Sequence, residues 1–124
     1  PTSDFYVLPL NPGFLEREQT LNWNPVTETL TALREYFDVK NVLGAVDAYL
    51  AYEPVLFNGS DNIALNVTFN QQVLGLAAVR VVPEDEARVG KRVLLEIAAQ
   101  KPDDGYLPGQ YFGNVQIIFD ALRP

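Results

Sequence analysis

The chain has 124 residues, with 9 Lys and Arg against 16 Asp and Glu for a formal charge of −7, and it contains no Cys, His or Met. That length suits one domain able to bury roughly two-thirds of its unfolded surface. The missing His and Cys remove Ser-His-Asp and Cys-His nucleophiles, thiolate metal sites, imidazole proton transfer and disulfides.

Nine Pro and eight Gly fall between the apolar stretches, the punctuation of many short elements joined by turns. Between Val26 and Phe37 the spacing of Val26, Leu30, Leu33 and Phe37 suits one side of a helix. Thr27, Thr29 and Thr31 oppose that reading, and the inward alternation of Leu33, Phe37 and Val39 places a strand around Arg34 to Val42. Val42 to Tyr52 reads as the next strand, with Val46, Ala48 and Leu50 on one face. Asn58-Gly59-Ser60-Asp61-Asn62 is a turn sequence, since Asn and Gly accept positive φ and Asp can bond its own backbone. The clearest strand follows at Ile63 to Asn70, where Ile63, Leu65, Val67 and Phe69 alternate with Ala64, Asn66, Thr68 and Asn70.

The acidic run Glu84-Asp85-Glu86 after Pro83 complements the positive end of a helix dipole and fits a single helical turn. Lys91 to Ala98 presents Val93, Leu95 and Ile97 on one face, with Leu94 implying partial cover on the other. Leu107-Pro108-Gly109 introduces the longest alternation in the chain, in which Tyr111, Gly113, Val115, Ile117 and Phe119 alternate with Phe112, Asn114, Gln116, Ile118 and Asp120. These short strands predict an all-β fold, an immunoglobulin-like antiparallel β-sandwich, with Trp23 as a core anchor or edge cover.

Chemistry finds little support in the residues. Glu84-Asp85-Glu86 and Asp103-Asp104 lack the ligand spacing of a calcium loop and read as solvated turns, as does Asn58 to Asp61. No metal site, cofactor or catalytic residue is expected, and no nucleotide-binding glycine motif occurs. With a pI near 4.4 there is no field to attract phosphates, so nucleic acid is not an expected partner. The Arg88, Lys91 and Arg92 grouping decorates a solvated loop. No apolar run approaches the roughly 20 residues needed to cross a bilayer as a helix, so no membrane insertion is expected.

Two blocks carry a resemblance. Gly105 to Phe119, with its G-x-Y-x-G-x-V-x-hydrophobic ending written as Gly109-Gln110-Tyr111-Phe112-Gly113-Asn114-Val115-Gln116-Ile117, is similar to the C-terminal strand of bacterial chaperone–usher pilins. Glu53-Pro54-Val55-Leu56 and Ile63 to Asn70 resemble a second block, and Leu21-Asn22-Trp23-Asn24-Pro25 and Phe37-Asp38-Val39-Lys40 fall in family order. The nearest branch is the alpha class, the major subunits of coli surface antigen and colonisation-factor fimbriae.

The resemblance implies a single pilin domain over residues 1–124, a structural subunit of an adhesive fimbria on a Gram-negative cell surface, reached through the periplasm. It implies a sandwich short of one strand, which a neighbouring subunit supplies by donor-strand complementation after delivery by a periplasmic chaperone and an outer-membrane usher. It places Val115, Ile117 and Phe119 in the wall of the acceptor groove, with Val7 and Leu8 near the opposite edge. Family members begin with a donor extension, whereas this sequence enters its first body strand at Phe5 to Leu10. That start implies a removed extension, a domain that receives without offering, or Phe5 to Leu10 as the donor itself with Pro9 limiting its pairing, and it allows a strand-swapped homo-oligomer. The alternative is a stand-alone sandwich binding carbohydrate or a receptor through Tyr49, Tyr52, Tyr106 and Phe112.

Overall fold

The computed structural model describes residues 4–11, 13–14, 19–21, 23–24, 29–57, 62–100 and 111–123. Thirteen strands and one short helix are formed by these residues. The strands are β1 (Phe5–Pro9), β2 (Gln19–Leu21), β3 (Trp23–Asn24), β4 (Thr29–Leu30), β5 (Leu33–Asn41), β6 (Val46–Leu50), β7 (Val55–Phe57), β8 (Asn62–Phe69), β9 (Gln72–Val73), β10 (Val79–Val82), β11 (Lys91–Ala99), β12 (Tyr111–Gly113) and β13 (Ile117–Ala121); the helix α1 spans Glu84–Val89. The larger sheet runs β1-β5-β11-β8-β7-β12-β2, with β9 paired to β8; the smaller runs β10-β6-β13; and β3 pairs β4. All pairings are antiparallel. The architecture is a β-sandwich whose two sheets share one core.

Period-two alternation sets which side chains enter that core. Ile63, Leu65, Val67 and Phe69 of β8 are buried, while their neighbours Asn62, Ala64 and Asn66 are exposed. Val93, Leu95 and Ile97 of β11 are buried in the same way, and Leu94 on the outer face is half-buried as expected. From the smaller sheet Val46, Ala48 and Leu50 of β6 face them. A line of edge-to-face rings crosses the core, with centroid distances of 6.4 Å from Phe14 to Phe37, 5.4 Å from Phe37 to Phe69 and 5.1 Å from Phe69 to Phe119. It joins β5 and β8 of one sheet to β13 of the other.

The strand placed around Arg34 to Val42 is present as β5, and the competing helical spacing between Val26 and Phe37 is not realised where the chain is described, because Thr29–Leu30 and Leu33–Asn41 are strands. Two expectations need correction. The strand expected from Val42 begins only at Val46, since residues 42–44 turn the chain from one sheet to the other. The single strand expected from Tyr111 is interrupted at 114–116, so β12 pairs β2 and β7 in the larger sheet and β13 pairs β6 in the smaller. Both sheets face a common interior, so the alternation continues across the switch. Gly113 fixes the switch point, because a Cβ there would lie 2.5 Å from the Val55 carbonyl oxygen. The Asn58 to Asp61 turn, Asp103-Asp104, Leu107-Pro108-Gly109 and the Trp23 side chain lie outside the described residues.

The acidic run does open a helix. Glu84, Asp85 and Glu86 occupy the first turn of α1, Ala87 is buried, and Gly90 ends the helix at φ +102° with its N–H donated to the Glu86 carbonyl. The β8–β9 hairpin turns through Asn70 and Gln71 at φ +51° and +67°, the two positive values of a tight hairpin turn. Asn70 Nδ2 also donates to the Val81 carbonyl at 2.7 Å, tying this turn to the smaller sheet.

Asn41 is the one buried polar side chain among the described residues, at 1% exposure. It follows Phe37 and Val39 on the inward face of β5. Its Nδ2 donates to the carbonyls of Ala45 at 2.9 Å and Leu122 at 3.1 Å, and its Oδ1 accepts from the Leu43 N–H at 3.2 Å. One amide therefore binds the end of β5 to the start of β6 and the end of β13. Asn41→Leu keeps the volume but leaves the Leu43 N–H and the Leu122 carbonyl without this partner, and is expected to cost about 2 to 3 kcal/mol in urea unfolding. A change below about 0.5 kcal/mol would show that water replaces the amide.

Candidate functional site: the free edge of the C-terminal strand

Among the described residues, β1, β2, β10 and β13 end the two main sheets, while β3, β4 and β9, also open on one side, are only two residues long; of the four, three carry a feature that obstructs pairing. β2 is only three residues long, and β10 has a register irregularity between Arg80 and Val82. In β1 the bonds Leu10 N–H to the Tyr36 carbonyl (3.0 Å) and Val42 N–H to the Asp4 carbonyl (2.9 Å) fix the hydrogen-bonded pairs at even positions. The backbone groups of Phe5, Val7 and Pro9 consequently face the open side. Pro9 has no N–H to offer there, so it costs the ladder with β5 nothing and shortens what another strand could bond to.

Among the described residues β13 has no such protection. Ala51 N–H donates to the Gln116 carbonyl at 3.0 Å and Leu122 N–H to the Ala45 carbonyl at 3.0 Å, so residues 116, 118, 120 and 122 bond toward β6. The N–H and C=O groups of Ile117, Phe119 and Ala121 then point to the unpaired edge. Their side chains lie on the core face, with Ile117 buried and Phe119 and Ala121 half-buried.

The two open edges converge at Asn41. Phe5 pairs with Asn41 across β1 and β5, and the Asn41 amide holds the carbonyl of Leu122 just beyond β13. The free sides of β1 and β13 thus meet at one end of the sandwich. Of the expected groove residues, Val115 is buried at 4% exposure and Ile117 at 9%, whereas Phe119 and Val7 are partly buried and packed against the core. Leu8 lies on the other face of β1 at 57% exposure, since successive side chains of a strand point to opposite sides. Asn41 has no counterpart in the sequence expectations; the available signal was a polar residue in the inward phase of Phe37 and Val39.

Other candidates are not assembled into a site. Arg88 pairs with Glu84, Lys91 with Glu86, and Arg92 with Asp38, so each member of the basic grouping has its own carboxylate. The hydrogen bond from Arg92 holds the Asp38 carboxyl below the usual carboxylate range and raises the guanidinium. Among the described residues no group of acidic side chains could hold a metal ion, and no helix is long and apolar enough to cross a membrane. Tyr49 is half-buried on β6 and Tyr52 is exposed beyond its end, while Tyr106 and the side chain of Phe112 lie outside the described residues.

The fold is similar to that of the CooA pilin subunit from enterotoxigenic Escherichia coli, with a TM-score of 0.63 and 21% identity over 81% of this chain and 75% of that one. No curated protein sequence matches the chain. The family model of the CS1 type fimbrial major subunit matches residues 1–120. The chain therefore belongs to the CS1 type fimbrial major subunit family, as a structural subunit that joins others of its kind in an extracellular pilus on the cell surface.

Proposed function

We propose that the subunit polymerises by donor-strand complementation, receiving an extended segment of a neighbouring pilin along β13 between the two open edges. The observation that carries this reading is the edge at Ile117–Ala121, unpaired among the described residues, where three alternate outward-facing backbone positions lie beside an apolar, partly covered wall. An incoming strand would bond to Ile117, Phe119 and Ala121 and lay alternate apolar side chains against Ile117, Phe119 and Val7, with Val115 buried at the entry to β13. In this reading residues 1–124 form one pilin body whose β1 is already engaged with β5, so the completing strand comes from another source.

An exposed apolar edge is an aggregation hazard until it is filled. The reading accordingly includes a periplasmic chaperone that occupies the groove before assembly, delivery to an outer-membrane usher, and a Gram-negative host. Two copies without a donor could also complete each other by exchanging strands.

The test uses a synthetic peptide with the sequence of the N-terminal extension of a CS1 type major subunit. At a thousand times its dissociation constant such a peptide is expected to stabilise the chain by about 4 kcal/mol in thermal unfolding. Amide hydrogen exchange should slow at Ile117, Phe119 and Ala121, while Ile118 and Asp120, already bonded toward β6, change least. A monomer that melts at the same temperature with and without the peptide would sink the proposal.

A further inference from the structure

A strand laid along the free edge of β13 has two faces. Its inward side chains meet Ile117, Phe119 and Val7, a wall that any alternating apolar segment satisfies. Its outward side chains extend the rows that cross the outer face of the smaller sheet, and one of those rows is charged. Arg80 of β10 pairs with Asp47 of β6, and Asp47 pairs with Asp120 of β13. All three side chains point away from the core, since the residues beside them on each strand pack into it.

The one cation of this row is already committed: Arg80 Nε donates to Asp47 Oδ1 at 2.7 Å. Asp120 is exposed and has no ion pair among the described residues, and the residue directly across from it is another carboxylate. Like charges placed opposite each other weaken a strand pair. The row therefore reads plus, minus, minus, and stops at the open edge. Backbone phase sharpens the placement. Residues 117, 119 and 121 offer their N–H and C=O groups outward, so Asp120 falls in the alternate phase. Against an antiparallel donor it forms half of a non-hydrogen-bonded pair, in which Cα atoms come within about 4.5 Å and side chains meet most closely. The neighbouring row differs, with half-buried Ile118 across from half-buried Tyr49 and no charge.

We propose that Asp120 selects the incoming strand by charge: the segment that completes the sandwich carries Lys or Arg in its outward phase, seated beside Asp120, with an uncharged residue two positions away beside Ile118. This inference rests on the groove reading and adds the chemistry of the occupant. The completed row reads plus, minus, minus, plus, so each carboxylate gains its own cation. The contact lies at the solvent-exposed rim, where a charge acts on choice of partner and register more than on total affinity. A slip of one residue would turn the cation into the apolar wall, and a slip of two would set it beside Ile118.

The probes are peptides of the extension sequence whose outward positions are all Thr, which suits an exposed strand face, except for one that is Lys, Gln or Glu and is moved from each outward position to the next. Calorimetric titration measures their binding to the wild type, to Asp120→Asn, and to Asp85→Asn, which removes the same charge from the exposed first turn of α1. At one outward position the wild type should bind the Lys peptide about two- to fivefold tighter than the Gln peptide, with the Glu peptide weaker still. Asp120→Asn should erase that preference and, without peptide, melt no lower than the wild type, whereas Asp85→Asn should keep it. In about 1 M salt, where the Debye length is about 3 Å, the preference should shrink. Equal affinity for the three peptides at every position, or a Lys preference that survives Asp120→Asn, overturns this inference and leaves the groove reading standing. Failure of every peptide to bind overturns both.

Discussion

Replacing Phe69 by Ala is expected to remove about 4 kcal/mol of stability and to weaken strand acceptance at the same time. Phe69 has no exposed surface and stands in the middle of the ring line, 5.4 Å from Phe37 and 5.1 Å from Phe119. Truncation loses the transfer free energy of a benzyl group, adds the cost of the cavity, and removes two edge-to-face contacts worth roughly 0.5 to 1.5 kcal/mol each. Phe119 loses the ring that sets its position, and it is the partly covered residue on which an incoming side chain would rest. Urea unfolding should give the stability loss, and the melting shift produced by the extension peptide should shrink in parallel. Phe69→Leu should recover more than half of both. A loss below about 1 kcal/mol would mean that the sandwich collapses around the gap without disturbing either sheet.

The second large effect is expected at Gly44, for a different reason. A Cβ at that position would sit 2.4 Å from the Leu122 carbonyl oxygen and 3.0 Å from its carbon. Both are backbone atoms, so no rotamer change relieves the contact. The same carbonyl accepts the Asn41 amide, and the Leu122 N–H is held by Ala45. Gly44→Ala must therefore displace either the 42–44 turn or the end of β13, at a cost of about 3 kcal/mol. Gly75→Ala is the internal control: nothing lies within 4 Å of its added Cβ, and the change should stay within about 0.5 kcal/mol. Thermal unfolding of the two variants side by side decides the matter; equal melting temperatures would show that the turn is free to shift.

These contacts mark the boundary of what the residue pattern reveals. β8 and β11 were legible because each alternates cleanly between a buried and an exposed face, and period two is a local property. The reach of β13 was only half legible. From Tyr111 to Phe119 the alternation is unbroken, yet β12 and β13 belong to different sheets. Alternation reports which side chains face the interior, and in a sandwich both sheets share that interior, so a crossing leaves the pattern intact. The break depends on Gly113 lying against the Val55 carbonyl, a contact between residues far apart in sequence.

The helical spacing of Val26, Leu30, Leu33 and Phe37 fails for a related reason. Leu33 and Phe37 are four apart, which fits one side of a helix and also one face of a strand, and β-branched Thr29 and the pairing with β11 favour the strand. For the groove, Ile117 and Phe119 were legible as inward residues through their phase. Leu8 was misplaced relative to Val7 because adjacent residues on β1 cannot share a face. Nothing local distinguishes an edge strand from a central one, so the openness of β13 emerged only with the sheet order.

The contrast among the sheet edges also has a meaning in polymer chemistry. A monomer with several reactive edges would grow into branched networks or lateral sheets. Here brevity limits β2, β3, β4 and β9, an irregular register limits β10 and an imino acid limits β1, leaving β13 as the one acceptor edge without such a feature among the described strands. If that edge is the acceptor, as proposed, one acceptor met by one donor gives a valence of two, and units of valence two propagate only as unbranched chains.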